Sequence, residues 1–333
     1  MAVIFGIILI VFVLVIVALL AKHFFFRQPL KNIEGKHVVV TGGSSGIGKS
    51  VAVLAAQNGA HVTIIARNIQ NLEKARDEII NACKSRDVQK VSYLSMNLAD
   101  NYESVERALL DVEKSVGPIY MLVNCAGTAI CGKIEDTTTE NLKWMTNLNF
   151  IGTYHCIKAV VPRMKNANDG IVVITSSLGA LSGIFGLSAY CSTKFALRGL
   201  AESLAMELNI HNISVTLSMP PDTDTPGFAI EELSKPLETK LISGSAGLVH
   251  PDVVAKQLFE DALAGRFYST VGFESFILSN LCAGFSPFSS FSELILQSIL
   301  MGPLRLVGAA YLVSFQRIIR NTMKTRNENK KSE

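Results

Sequence analysis

Short apolar runs alternate with amphipathic stretches through the middle of the chain, and both ends are apolar in a different way. Val38–Val40, His61–Ala66, Val91–Met96, Tyr120–Asn124, Ile171–Thr175 and Ile213–Ser218 have the length and composition of buried strands. Between them, Lys49–Gln57, Leu72–Asn81, a stretch through Glu113, a longer one from Asn141 to Pro162 and one from Tyr190 through Met206 carry helical spacing, with Asn58 and Gly59 as the first helix stop. Strands and helices that alternate in this way predict an α/β fold, a doubly wound parallel sheet covered on both faces.

The ends break the pattern. Ala2–Ala21 holds 20 residues without one charge, which at about 1.5 Å each make roughly 30 Å of helix, enough to span a bilayer. A cleaved signal peptide is the rival reading, but the basic leading region is missing, the apolar run is too long and no A-x-A site follows. Lys22, Arg27 and Lys31 follow the run with no side-chain charge before it, so the positive-inside rule predicts a cytosolic chain beyond it. Past Gly265 the chain turns rich in Phe and Ser, with Pro287 inside and Glu274, Glu293, Arg305 and Arg317 as interruptions. Ser275–Ser292 is long enough to span on count alone; an interfacial or re-entrant hairpin, spanning helices and a dimer-forming helix pair are the readings open there. The predicted divisions are 1–27 as membrane anchor, 28–265 as nucleotide-binding domain with a substrate loop over 220–247, 266–320 as an apolar membrane-associated region, and 321–333 as a basic tail.

Composition narrows the partners. Hydrophobic residues make up 49% of the chain and mean hydropathy is positive, which points to membrane contact. A net charge of only +3 gives no reason to expect nucleic acid. The six cysteines form no CxxC pair and no Cys/His ligand spacing, so they read as reduced thiols on the cytosolic side, with no metal site expected.

Candidate chemistry begins at Thr41–Gly48, TGGSSGIG, which lies between the first strand and the first helix. Gly42, Gly46 and Gly48 allow a sharp turn, close approach of a pyrophosphate and tight helix packing, and Ser44, Ser45 and Ile47 fill the loop between them. The helix start adds N–H donors and positive potential, so the loop reads as a phosphate cradle. Arg67 follows the second strand, 19 residues after Gly48. There an NAD-selective protein would carry an acid for the ribose 2′-hydroxyl; an arginine favours the 2′-phosphate of NADP.

These residues, with NCAG at Asn124–Gly127, Asn149, the Ser176/Ser177 pair and Tyr190 with Lys194, resemble the short-chain dehydrogenase/reductase family over about residues 35–265. The resemblance implies a Rossmann fold, NADPH as cofactor and carbonyl reduction. It also implies that a serine polarises the carbonyl, that Tyr190 protonates its oxygen, that Lys194 holds the nicotinamide ribose and that Asn149 carries a water-linked proton relay. The family spacing to the tyrosine favours Ser177, thirteen residues before Tyr190, with Ser176 in reserve. Asn97 stands where many members hold the adenine amino group with an aspartate, and an amide can still accept a hydrogen bond. The usual PG after the sixth strand is Pro220-Pro221 here, which leaves Thr223 and Thr225 as candidate cofactor contacts. Dimers built through the helices around Asn149 and Tyr190 are common in the family.

Tyr190 and Lys194 are i and i+4 on a helix, so they share a face. A tyrosine with an ordinary pKa near 10 must move toward neutrality to act as acid and base. One ammonium roughly 4 Å away at an effective dielectric near 20 supplies about 4 kcal/mol, enough for that move. PPDTDTPGF at Pro220–Phe228, KPLET at Lys235–Thr239 and the apolar ends are similar to the membrane-bound branch of the family that reduces a long-chain sphingoid ketone in sphingolipid synthesis. An acyl chain of about 15 methylenes at roughly 0.8 kcal/mol each keeps such a ketone in the bilayer, so the enzyme must take it from there. Lys330-Lys331-Ser332-Glu333 resembles a dilysine endoplasmic-reticulum retrieval signal or reads as a solvated basic tail. Membrane-anchored retinal or ketosteroid reduction is the alternative within the class, and a catalytically silent NADPH-binding scaffold the alternative outside it.

Overall fold

In the computed structural model, which describes residues 14–21, 29–244 and 247–332 together with Phe5 and Ile10, the six apolar runs are strands β1 (His37–Thr41), β2 (His61–Ala66), β3 (Val91–Ser95), β4 (Ile119–Asn124), β5 (Gly170–Thr175) and β6 (Ile213–Met219). A short β7 (Tyr268–Thr270) joins the far edge, so the sheet continues past residue 265, where the composition changes. All seven are parallel, in the order β3-β2-β1-β4-β5-β6-β7. Parallel strands covered on both faces need apolar residues at consecutive positions, and Val38, Val39 and Val40 are all fully buried. The strand order reverses between β1 and β4, which opens a crevice at the carboxyl ends of the strands.

Helices α1 (Gly46–Gln57), α2 (Ile69–Ala82) and α9 (Pro251–Leu263) cover one face, where Val51, Leu72 and Leu258 pack on the strands. On the other face lie α3 (Tyr102–Val116), α5 (Thr153–Ala167) and α6 (Ser188–Asn209), through Leu109, Val160 and Leu204. The stretch expected as one helix from Asn141 to Pro162 is instead α4 (Thr139–Met145), a π-helical segment (Thr146–Gly152) and α5, which carries Pro162 in its interior and runs on to Ala167. Periodicity does not reveal a π segment, because one extra residue per turn preserves the apolar character of the stretch.

The substrate loop holds α7 (Pro226–Ser234) and α8 (Leu237–Ser243). Beyond the sheet come α10 (Phe273–Leu281) and the long α11 (Phe291–Ser332), separated by residues 282–290, so Ser275–Ser292 is not one continuous helix. Among the described residues one helix, Phe291–Arg326 within α11, is long and apolar enough to cross a membrane. Of the predicted N-terminal span 2–21, residues 14–21, Phe5 and Ile10 are helical; the rest of it, with Lys22 and Arg27, lies outside the described residues.

Candidate active site

The glycine loop leaves β1 and enters α1 against the segment after β4. Gly42 and Gly46 have φ of +67° and +54°, a left-handed conformation that favours glycine. A Cβ on Gly42 would lie 2.9 Å from the Ala126 nitrogen, and one on Gly48 would lie 2.5 Å from the Gly42 carbonyl oxygen. Thr41 fixes this approach, because its Oγ1 accepts from the Cys125 and Ala126 N–H groups, each at 3.2 Å. Ser45 caps α1 in extended conformation, yet its side chain makes no capping bond, so the first-turn N–H groups of α1 are left to another acceptor. A loop with this shape and these donors fits a dinucleotide pyrophosphate.

Thr225 closes the loop from the far side: a Cβ on Gly46 would lie 2.8 Å from its Cγ2, and its Oγ1 accepts from the Phe228 N–H as the α7 cap. The Thr223 hydroxyl is turned away, donating to the Pro221 carbonyl at 2.8 Å. Asn124 braces the sheet, with Nδ2 donating to the Val173 carbonyl of β5 at 3.0 Å. Its Oδ1 is buried without a partner among the described residues.

Arg67 and Asn97 line one cleft with Ser95, Met96 and Asp100. The Arg67 guanidinium also stacks over Trp144, 5.1 Å from the ring centre. Asn97 makes a local turn, accepting from the Ala99 N–H at 3.2 Å and donating to Asp100 at 2.9 Å.

The structure brings Asn149, Ser177, Tyr190 and Lys194 together at the ends of β4 and β5. Asn149, buried in the π segment, accepts from the Thr128 N–H at 2.8 Å and donates to the Thr128 carbonyl at 2.9 Å and Thr193 Oγ1 at 3.0 Å. A Cβ on Gly127 would stand 3.2 Å from Asn149 Oδ1 and 3.6 Å from Lys194 Nζ, so this glycine keeps the space between them open. Lys194 Nζ donates to the Thr175 carbonyl at 3.1 Å and lies 5.5 Å from the Tyr190 ring centre. Burial pulls Lys194 down to about 8.

Two serines that spacing alone could barely separate have different surroundings. Ser176 is buried and donates to the Lys194 carbonyl at 3.0 Å. Ser177 caps a short 3₁₀ turn through the Gly179 N–H at 3.1 Å, hydrogen-bonds Tyr190 and lines the cavity described below. One expectation fails: Tyr190 is not drawn toward neutrality. Burial, then the Glu231 charge, push its hydroxyl well above the ordinary tyrosine range, and the Ser177 bond opposes them only in part. Desolvation outweighs the attraction foreseen from Lys194, whose ammonium donates to the Thr175 carbonyl.

A cavity of about 280 Å³ opens from Ser177, Pro220, Pro221 and Asp222. Its walls continue through Ile277, Leu278 and Leu281 of α10 to Gly308, Tyr311, Leu312 and Phe315 of α11. The KPLET segment holds these parts together: Thr239 donates to the Phe185 carbonyl at 2.7 Å, and buried Glu238 pairs with Arg326 of α11 at 2.9 Å. Lys235 is buried among Glu232 at 2.7 Å, Glu231 at 3.2 Å and Asp222 at 3.3 Å, with the Phe228 ring 4.4 Å from its ammonium. Sequence reasoning missed the roles of Trp144, Thr175, Thr193 and this ion group. The single tryptophan of the chain was the one visible signal.

The family model described as short chain dehydrogenase matches residues 36–233. A 3-dehydrosphinganine reductase of Danio rerio is 43% identical over 301 residues, 90% of this chain and 90% of that protein. A 3-ketodihydrosphingosine reductase of Bos taurus is 43% identical over 296 residues, 89% of each. Among solved structures, an alcohol dehydrogenase from the archaeon Thermococcus sibiricus, complexed with 5-hydroxy-NADP, superposes with a TM-score of 0.60 at 26% identity, covering 72% of this chain and 95% of that one. With its parallel sheet, glycine loop and Ser177/Tyr190/Lys194 arrangement, the chain belongs to the short-chain dehydrogenase/reductase family.

Proposed function

We propose that this chain reduces the ketone of 3-ketodihydrosphingosine to dihydrosphingosine with NADPH, a step of sphingolipid biosynthesis. The observation that carries the reading is the cavity, which has Ser177 at one end and the apolar faces of α10 and α11 at the other. A reductase whose substrate wall is a helix apolar enough to cross a membrane suits a ketone that lives in the bilayer. The names of the Danio rerio and Bos taurus relatives support the same substrate.

When bound, NADPH would supply the hydride that the carbonyl carbon receives. Ser177 donates a hydrogen bond to the carbonyl oxygen, and Tyr190 gives that oxygen its proton, so the ketone leaves as an alcohol. A tyrosine held above its ordinary range stays protonated at neutral pH, as a proton donor requires. Lys194, fixed by Thr175, would hold the nicotinamide ribose, and Asn149, fixed by Thr128 and Thr193, would carry the relay that returns the proton. Thr225 and the glycine loop would hold the pyrophosphate, Asn97 would take the adenine, Asn124 would support the loop from β4, and Arg67 would read the 2′-phosphate. The catalytic domain faces the cytosol at the endoplasmic-reticulum membrane, an orientation favoured by the charges at 22, 27 and 31.

The test is NADPH oxidation by detergent-solubilised protein offered 3-ketodihydrosphingosine, retinal and a ketosteroid in parallel, with product identified by mass. Turnover confined to the sphingoid ketone, and reduced about 100-fold or more by Tyr190→Phe, is expected. Turnover of retinal or steroid instead would transfer the assignment, and NADPH binding without any turnover would leave a silent scaffold.

A further inference from the structure

The cavity that reaches Ser177 is apolar over most of its wall, so a carboxylate at its catalytic end needs a reason. Asp222 lines that end directly after Pro220 and Pro221. Its side chain is 30% exposed even though it pairs with Lys235. Lys235 serves Glu232 and Glu231 at shorter range than Asp222, Lys240 reaches Glu232 at 3.4 Å, and two ammoniums cannot neutralise three carboxylates. Negative charge is therefore left over, and Asp222 offers it to the cavity. The charges of Asp222 and Glu231 both push the Tyr190 hydroxyl up, which sets them within electrostatic reach of the proton donor.

For a neutral ketone this arrangement is a cost, because a bound apolar molecule strips water from a carboxylate and returns nothing. For a ketone with an ammonium on the adjacent carbon it is a charge-assisted hydrogen bond beside the reacting centre. We propose that Asp222 is the counter-ion for an ammonium group on the carbon next to the reacting carbonyl, so that the cavity selects α-ammonio ketones over neutral long-chain ketones. The proposal rests on the sphingoid-ketone reading and names the residue that separates that substrate from retinal or a steroid, neither of which carries a cation. An ammonium held there also draws electron density from the carbonyl and favours hydride addition.

The experiment compares two ketones of equal chain length, a 2-amino-1-hydroxy-3-ketone and the same molecule without the amine, reduced by the full chain in detergent with NADPH. Wild type is expected to favour the amine in kcat/KM by about 10- to 100-fold, the worth of one charged hydrogen bond. Asp222→Asn should bring that ratio toward one, chiefly through KM, and Asp222→Glu should restore part of it. Glu232→Gln removes a competitor for Lys235 that does not line the cavity, so it should lower the ratio only in part and by less than Asp222→Asn. Equal loss on both ketones in Asp222→Asn with no rescue by glutamate would overturn the proposal, since Asp222 would then only hold Lys235 in place. A wild type indifferent to the amine would overturn it as well. A wild type that reduces neither ketone, while its NADPH binding is intact, refutes the substrate reading itself and is told apart by that silence.

Discussion

The guanidinium carbon of Arg67, which lines one cleft with Asn97, stands 5.1 Å from the centre of the Trp144 ring. A stacked guanidinium keeps its N–H edge free for a phosphate while the ring holds its plane. Arg67→Asp is expected to weaken NADPH by about 10- to 100-fold and NADH far less, the worth of one charged hydrogen bond to phosphate. Because Trp144 is the single tryptophan of the chain, its fluorescence reports the event directly. Titration with NADPH should quench it, and equal weakening of both cofactors in the variant would place 2′-phosphate recognition elsewhere.

Ser177 and Ser176 are neighbours with opposite duties. Ser177→Ala should lower kcat by about 100-fold or more, far beyond the roughly 1 kcal/mol of stability lost with its bond to the Gly179 N–H, because in the proposed mechanism its hydroxyl serves a transition-state oxygen. Ser176→Ala should do the reverse: loss of the bond to the Lys194 carbonyl costs about 1 kcal/mol of stability and a few-fold in turnover through a looser Lys194. Steady-state kinetics beside thermal melts distinguish the two, and equal kinetic loss without destabilisation in Ser176→Ala would reverse the assignment.

Much of this site was legible in the chain because local chemistry dictated it. Gly42 and Gly46 need left-handed backbone, and Tyr190 with Lys194 need one helix face; both follow from residue type and spacing. What escaped depends on contacts far apart in sequence. Asp222 meets Lys235 only after α7 reverses the chain, and Arg67 meets Trp144 only when α4 packs across the strand ends. The Tyr190 shift failed for a related reason. A Coulomb estimate from one partner needs only a distance, whereas desolvation depends on every element that covers the hydroxyl, and the Glu231 charge of α7 adds to it.

His37 gives the fold a pH limit independent of catalysis. Its Nδ1 lies 2.7 Å from the Gly117 carbonyl and so carries the hydrogen, leaving Nε2 to accept from Thr63 Oγ1 at 2.9 Å. Burial pulls it down to about 4. Between that value and the ordinary 6.5 the unfolded chain binds a proton that the folded chain refuses, so this contribution is fully present above pH 6.5 and is lost as pH falls toward 4. The loss amounts to about 3 kcal/mol. Urea unfolding at pH 7 and pH 4.5 should show the drop, and His37→Asn should flatten it; an unchanged slope in the variant would assign the acid sensitivity to other groups.

Gly308 sets the width of the cavity where α10 and α11 meet. A Cβ there would lie 2.7 Å from Leu281 Cδ2, and both residues line the wall that a long chain must follow from Ser177. Gly308→Leu gains about 0.8 kcal/mol of helix propensity against the strain of that close approach, so a thermal melt beside the kinetics tells loss of fold from a narrowed cavity. The added side chain must occupy the cavity or part the two helices. Ketones of increasing chain length, assayed with NADPH, should show KM rising about 10-fold or more for the longest and little for the shortest, since each excluded methylene forfeits about 0.8 kcal/mol of burial. A penalty independent of chain length would mean that the alkyl chain leaves the cavity before it reaches Gly308, and that α11 borders the site without measuring its ligand.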